Sequence, residues 1–121
     1  MNLNLFLENT LKNGGCSTSF INGVTDPKHG FFASFKGSEM IIKLEDLTST
    51  KLSNLMLPFL RKNEKELRVT GNFVGSWIDS NLVYIDVSKQ FYNEKTCKEF
   101  AIKNEQQAYF NAETQNVIEL N

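Results

Sequence analysis

The chain has 121 residues, 22% of them charged, and a formal net charge of −1. That length suits one domain, is too short for two ordinary ones, and buries roughly two-thirds of the unfolded surface without a metal or disulfide staple. The charge balance excludes the basic footprint of a nucleic-acid binder and the strong acidity of a nucleic-acid mimic, and the only arginines, Arg61 and Arg68, provide poorly for bidentate phosphate or base recognition.

Residues 3–12 carry Leu3, Phe6, Leu7, Thr10 and Leu11 on one face at helical spacing, and Asn13-Gly14-Gly15 supplies a left-handed stop. Residues 16–21 read as a strand with Cys16 and Phe20 on one side. Asn22-Gly23 and Asp26-Pro27-Lys28-His29-Gly30 are turn chemistry. Two strands follow at 31–35 and 40–44, parted by Gly37-Ser38. Phe31, Ala33 and Phe35 share a face, as do Met40, Ile42 and Leu44.

The hydroxyl of Thr48 or Ser49 is placed to cap a helix whose apolar stripe is Leu52, Leu55, Met56, Phe59 and Leu60. Pro58 lies inside that run and has no amide for the Asn54 carbonyl, so the sequence predicts a kink or a break into two short helices. Residues 61–66, mixed in charge, are expected to be the solvated end of this helix.

The densest stretch runs from 72 to 88. It holds the only Trp, and a two-residue loop at Ser80-Asn81 pairs Ile78 with Val83, Trp77 with Tyr84 and Val74 with Val87. Val74, Ile78, Val83, Ile85 and Val87 then form one aliphatic face. Phe73, Trp77, Asp79, Leu82, Tyr84 and Asp86 form the other. Asn81 suits a positive φ in the turn.

Asn93 is placed to cap a further helix, with Glu94 in its first turn and Tyr92 and Cys97 at the spacing of a hydrophobic staple. Cys97, Phe100 and Ala101 give its buried stripe, and Asn104 is expected to stop it in the left-handed region. Strands at 108–110 and 117–120 finish the chain around a polar turn. The order α-β-β-β-α-β-β-α-β-β describes a single α+β domain over residues 1–121. Its sheet is mostly antiparallel, with about three helices on one face.

Catalytic and metal chemistry finds little support. Asp79 and Asp86 share a hairpin face, but Asp86 lies opposite Gly75, about 14 Å along the strand from Asp79, beyond the reach of a glycosidase-type pair. His29, the only histidine, sits in a turn without a zinc-like ligand spacing. Gly71-Asn-Phe-Val-Gly75 lacks the Gly-Lys-Ser/Thr ending of a phosphate loop, and no Gly-x-Ser-x-Gly elbow is present. No enzyme activity, cofactor or metal is expected. Cys16 and Cys97 read as two buried thiols of a cytoplasmic protein, with a disulfide between them as the alternative; no signal-peptide pattern or membrane-length apolar run is found, so no membrane partner is expected. Two readings of the aromatic face stand: it packs beneath helices, or its rings and flanking carboxylates form a recognition surface.

The block Gly75-x-Trp77-x-Asp79-x-x-x-Val83-Tyr84-x-Asp86-Val87-Ser88, followed by a short helix and Asn104-x-Gln106-Gln107-x-x-Tyr109, resembles a family of small uncharacterised proteins carried by phages, prophages and plasmids. The resemblance covers roughly the last 50 residues; the first 70 share only the element order. It implies a mobile-element accessory protein that binds a host or defence protein, and it carries over no catalytic residue. The expected function is therefore a non-enzymatic binding protein that inhibits or modulates such a partner, with Phe73, Trp77, Asp79, Tyr84, Asp86 and Gln106 as the binding residues. A homodimer is one arrangement in which that face would be used. The alternative is a nucleotide-like small-ligand binder with Trp77, Tyr84, Asp86 and Gln106 lining its pocket.

Overall fold

In a computed structural model, which describes residues 1–120, the chain forms a seven-stranded antiparallel sheet and four helices. The expected domain's last residue, Asn121, lies outside the described residues. The elements are α1 (Leu3–Asn13), β1 (Gly15–Ser19), β2 (Phe31–Ser34), β3 (Met40–Lys43), α2 (Ser49–Lys62), α3 (Glu64–Leu67), β4 (Asn72–Asp79), β5 (Leu82–Phe91), α4 (Glu94–Lys103), β6 (Ala108–Asn111) and β7 (Asn116–Glu119). A single 3-10 turn at Leu44–Asp46 leads from β3 towards α2. The strand order is β1-β4-β5-β2-β6-β7, and β3 also pairs with β5.

β5 is the centre of the sheet because it is long enough to hold two strands end to end on one edge. Leu82–Ile85 pair with β3, and Ser88–Phe91 pair with β2. At the break between them the Ser38 side chain completes the ladder: Val87 N–H donates to Ser38 Oγ at 3.0 Å, and Phe35 N–H donates to the Val87 carbonyl at 2.9 Å. The residues expected as two sequential strands are therefore strands, but they pair with β5 and not with each other.

All four helices lie on one face. Side chains of Val74, Val83, Ile85 and Val87 share that face with Cys16 and Ile42, and they pack against Phe6 of α1, Leu52, Met56 and Phe59 of α2 and Leu67 of α3. Further along the same face, Ala33, Phe31, Phe91 and Tyr109 pack against Cys97, Phe100 and Ala101 of α4. Burial of this aliphatic set removes apolar area from water at about 25 cal/mol per Å², the main term holding helices to sheet.

The caps follow local chemistry. Gly14 ends α1 at φ 78°, and its N–H donates to the Thr10 carbonyl. Thr48 Oγ1 accepts from Lys51 N–H at 3.2 Å, and Asn93 Oδ1 accepts from Thr96 N–H at 3.0 Å. Thr10 on the buried face of α1 is polar for a reason: its hydroxyl donates to the Phe6 carbonyl and hydrogen-bonds Ser76 Oγ of β4 at 2.6 Å.

Several local expectations are corrected. α2 runs unbroken through Pro58, which lies on its exposed side, as does Asn54, whose carbonyl loses its amide partner where water can reach it. The break falls later, at Asn63, whose buried Nδ2 donates to the carbonyls of Phe59 and Ser38. Residues 61–66 are largely solvated as expected but are not one helix end: Arg61 and Lys62 close α2, and Glu64–Glu66 open α3, which delivers Leu67 to the core. Ser80, not Asn81, takes the positive φ of the hairpin turn, and Glu105, not Asn104, takes it after α4. There Gln106 N–H reaches the Ala101 carbonyl and Glu105 N–H the Ile102 carbonyl, the double bond pattern of a Schellman stop. Tyr92 is 78% exposed and forms no staple with Cys97. Phe20 lies beyond the end of β1 and is exposed.

Candidate functional site

The register of β4 and β5 is the one the sequence predicts: Ile78 faces Val83, Trp77 faces Tyr84, Val74 faces Val87 and Asp86 faces Gly75. The aliphatic side chains go to the helices. The opposite face, carrying Phe73, Trp77, Asp79, Leu82, Tyr84 and Asp86, has no helix on it. β3 extends this open face with Ile41 beside Tyr84 and Lys43 beside Leu82, and β1 extends it with Ser17 beside Gly75.

The open face divides along the strands. At one end Phe73 is 4% exposed and meets Phe32 edge-on at a centroid distance of 5.3 Å; Phe110 and Ala112 complete that cluster. Next to this cluster the segments before β2 and after β6 are tied together by the hydrogen bond from Ala112 N–H to the Gly30 carbonyl and by His29 and Glu113 at 3.5 Å. At the other end, towards the hairpin tip, Trp77 is 46% exposed and lies flat against Tyr84, with centroids 4.6 Å apart and ring planes 16° apart. Ile41, exposed by 53%, continues this row onto β3, and the exposed Asp79 and Leu82 flank it.

Asp86 sits between the two ends. It is buried, and its Oδ2 accepts from Ser34 Oγ at 2.7 Å. Gly75 makes room for it: a Cβ on Gly75 would lie 3.0 Å from Asp86 Oδ1. Burial pushes the carboxyl up to about 6, the Ser34 bond opposes that shift, and nearby Glu39 adds to it. A carboxyl with this environment is partly protonated near neutral pH, and the side chain that hydrogen-bonds it is the Ser34 hydroxyl. Asp79 lies four residues from Gly75, its cross-strand neighbour, so the two carboxylates are apart as the register requires.

Gln106 is not brought to this face's aromatic row. It lies between α4 and β6, a strand three spacings from β4, about 14 Å across the sheet, and its Nε2 donates to the Asn104 carbonyl. Phe73 belongs to the closed end. Trp77, Asp79 and Tyr84 therefore group at the hairpin tip, with Asp86 beneath them. Ile41 and Ser34 belong to the same surroundings, and the sequence reading did not include them. The signal for Ile41 was its position between the inward-facing Met40 and Ile42; the signal for Ser34 required the pairing of β2 with β5.

The remaining chemistry is dispersed. Cys16 and Cys97 are buried, form no disulfide and lie in separate core clusters, and burial raises both thiols, Cys97 to about 12. Among the described residues no three His, Cys, Asp or Glu side chains converge as metal ligands, and no helix is long and apolar enough to cross a membrane. No family model, no curated protein and no solved structure matches the chain.

Proposed function

We propose that the chain is a non-enzymatic binding protein that meets a protein partner through the hairpin-tip end of its open sheet face. One observation carries the reading: a Trp ring half in water, stacked on a Tyr, on a sheet face that no helix covers. Two stacked rings on paired strands present a large apolar area at little entropic cost, the chemistry that dominates binding hot spots. Exposed Asp79 and Lys43 supply the polar rim. The resemblance to mobile-element proteins makes a host or defence protein, inhibited or modulated by contact, the target class of this proposal.

Trp77 is the chain's only Trp, so its fluorescence reports this site alone. The experiment is affinity capture from host lysate with wild type and Trp77→Ala, followed by titration of the purified captured protein against wild type. The expected result is a protein retained by wild type, lost with Trp77→Ala, that blue-shifts Trp77 emission as it covers the ring. Equal capture by both forms, or binding that leaves the emission unchanged, would overturn the proposal.

A further inference from the structure

A second feature is built differently and adjoins the aromatic pair: the outer edge of β3, whose Ile41 lies beside Tyr84. β3 is paired on one side only, and its hydrogen-bond parity can be read from its neighbours. Leu44 N–H donates to the Asn81 carbonyl, so Leu44, Ile42 and Met40 turn their backbone groups towards β5. Ile41 and Lys43, and Glu39 if the strand is continued by one residue, turn theirs outward. Among the described residues no backbone group is hydrogen-bonded to those of Ile41 across this outer edge.

We propose that β3 pairs antiparallel with β3 of a second copy of this chain, about a two-fold axis through Ile41. The sequence Glu39-Met-Ile-Ile-Lys43 is self-complementary in this register. Ile41 faces Ile41 of the second copy, Met40 faces Ile42, and Glu39 faces Lys43 twice. The outward parity makes the central Ile41 pair a hydrogen-bonded one, so backbone groups now left to water are satisfied across the interface. Glu39, Ile41 and Lys43 are exposed, and among the described residues neither Glu39 nor Lys43 takes part in an ion pair. Opposite charges directly across a strand pair attract, and like charges repel.

The other sheet edges do not offer this. β1 turns Ser17 and Ser19 outward, but the segment after it already occupies them: Ser19 N–H donates to the Val24 carbonyl, and Asp26 N–H donates to the Ser17 carbonyl. β7 has one charged residue, Glu119, and no basic one to meet it in a second copy. β3 also borders an open groove against α2, lined by Ile41, Lys43, Asn54 and Leu55, with Leu55 39% exposed. Pairing brings this wall to its symmetric mate and adds apolar contact beyond the short strand. The two open sheet faces then lie on the same side of one continuous sheet.

The test is the mass in solution, by light scattering and sedimentation over a concentration series. Wild type is expected to be a dimer. Glu39→Lys and Lys43→Glu each place like charges opposite one another and should weaken the dimer by about tenfold or more. Mixing the two variants restores Lys-Glu pairs at both positions and should restore dimer mass, as should the double variant Glu39→Lys/Lys43→Glu. Both positions are exposed, and an unchanged circular dichroism spectrum with a cooperative melt of each variant establishes that the fold is kept, the midpoint itself falling as the dimer is lost. A wild type that stays monomeric to its highest soluble concentration would overturn the proposal. So would a dimer indifferent to the single changes, or single variants that stay monomeric when mixed. None of these outcomes depends on Trp77.

Discussion

The two ends of the open sheet face carry the same kind of residue and treat it in opposite ways. Phe73 and Trp77 lie on the same strand, four residues apart, with their side chains on the same side of the sheet. Phe73 is covered by Phe32, Phe110 and Ala112; Trp77 is stacked on Tyr84 and is 46% exposed. The difference lies in what the neighbouring strands bring to each end. β2 and β6 bring Phe32 and Phe110 to the Phe73 end, with Ala112 just past β6, whereas β5 and β3 bring Tyr84 and Ile41 to the Trp77 end and leave Trp77 half in water. An aromatic residue on a strand is thus core or surface according to which side chains its neighbouring strands carry on that face. Only the uncovered one is free to meet a partner.

The largest effect is expected at the closed end. Phe73→Ala removes a buried ring from a small cluster whose other rings come from β2 and β6, and it should cost about 3–5 kcal/mol of unfolding free energy. Denaturant unfolding checks this. A loss comparable to that at an exposed position would mean that Phe32, Phe110 and Ala112 do not enclose Phe73, and the contrast between the two ends would fail.

Asp86 tests the boundary between the ends. Its folded value of about 6 stands above the ordinary 3.8 because burial disfavours the charged form. The protonated carboxyl is thus favoured in the fold. Its contribution to stability is full below pH about 3.8 and is lost as pH rises through about 6. The shift corresponds to at most about 3 kcal/mol. Asp86→Asn keeps an acceptor for Ser34 and cannot ionise. The variant should therefore gain on wild type by up to that amount as pH rises from 4 to 7. The check is the difference between their stability curves; parallel curves would place Asp86 in water, with the open end reaching further down the strands.

The sequence carried much of this contrast, and its failures have physical causes. Hairpin register was legible because side-chain period is fixed at two and only one pairing separates Val74, Ile78, Val83, Ile85 and Val87 from the aromatic set. Caps at Gly14, Thr48 and Asn93 were legible because the chemistry is local. Which face the helices take was not. That depends on α1, α2 and α4 all choosing the aliphatic side, a tertiary outcome that left the exposure of Trp77 open. Gln106 misled because nearness in a motif is nearness along the chain, whereas β5 and β2 stand between its strand and β4. The pairing of β3 with β5 was hidden for the same reason. Without it, Ile41 could not be placed beside Tyr84.

The smallest effect is expected at the open end, and it is the most informative about binding. Trp77→Ala exposes little that was dry, since half of the residue is already in water, so it should cost about 1 kcal/mol, mainly from the lost stack. A double-mutant cycle with Tyr84→Ala isolates that stack, for which the expected coupling is about 0.5–1.5 kcal/mol. Coupling of this size means that the two rings are held together before any partner arrives, so binding need not order them and more of the contact energy appears as affinity. Coupling near zero would mean that the rings move independently in solution. The hairpin tip would then differ from the Phe73 end in order as well as in cover, and a partner would have to assemble its own platform.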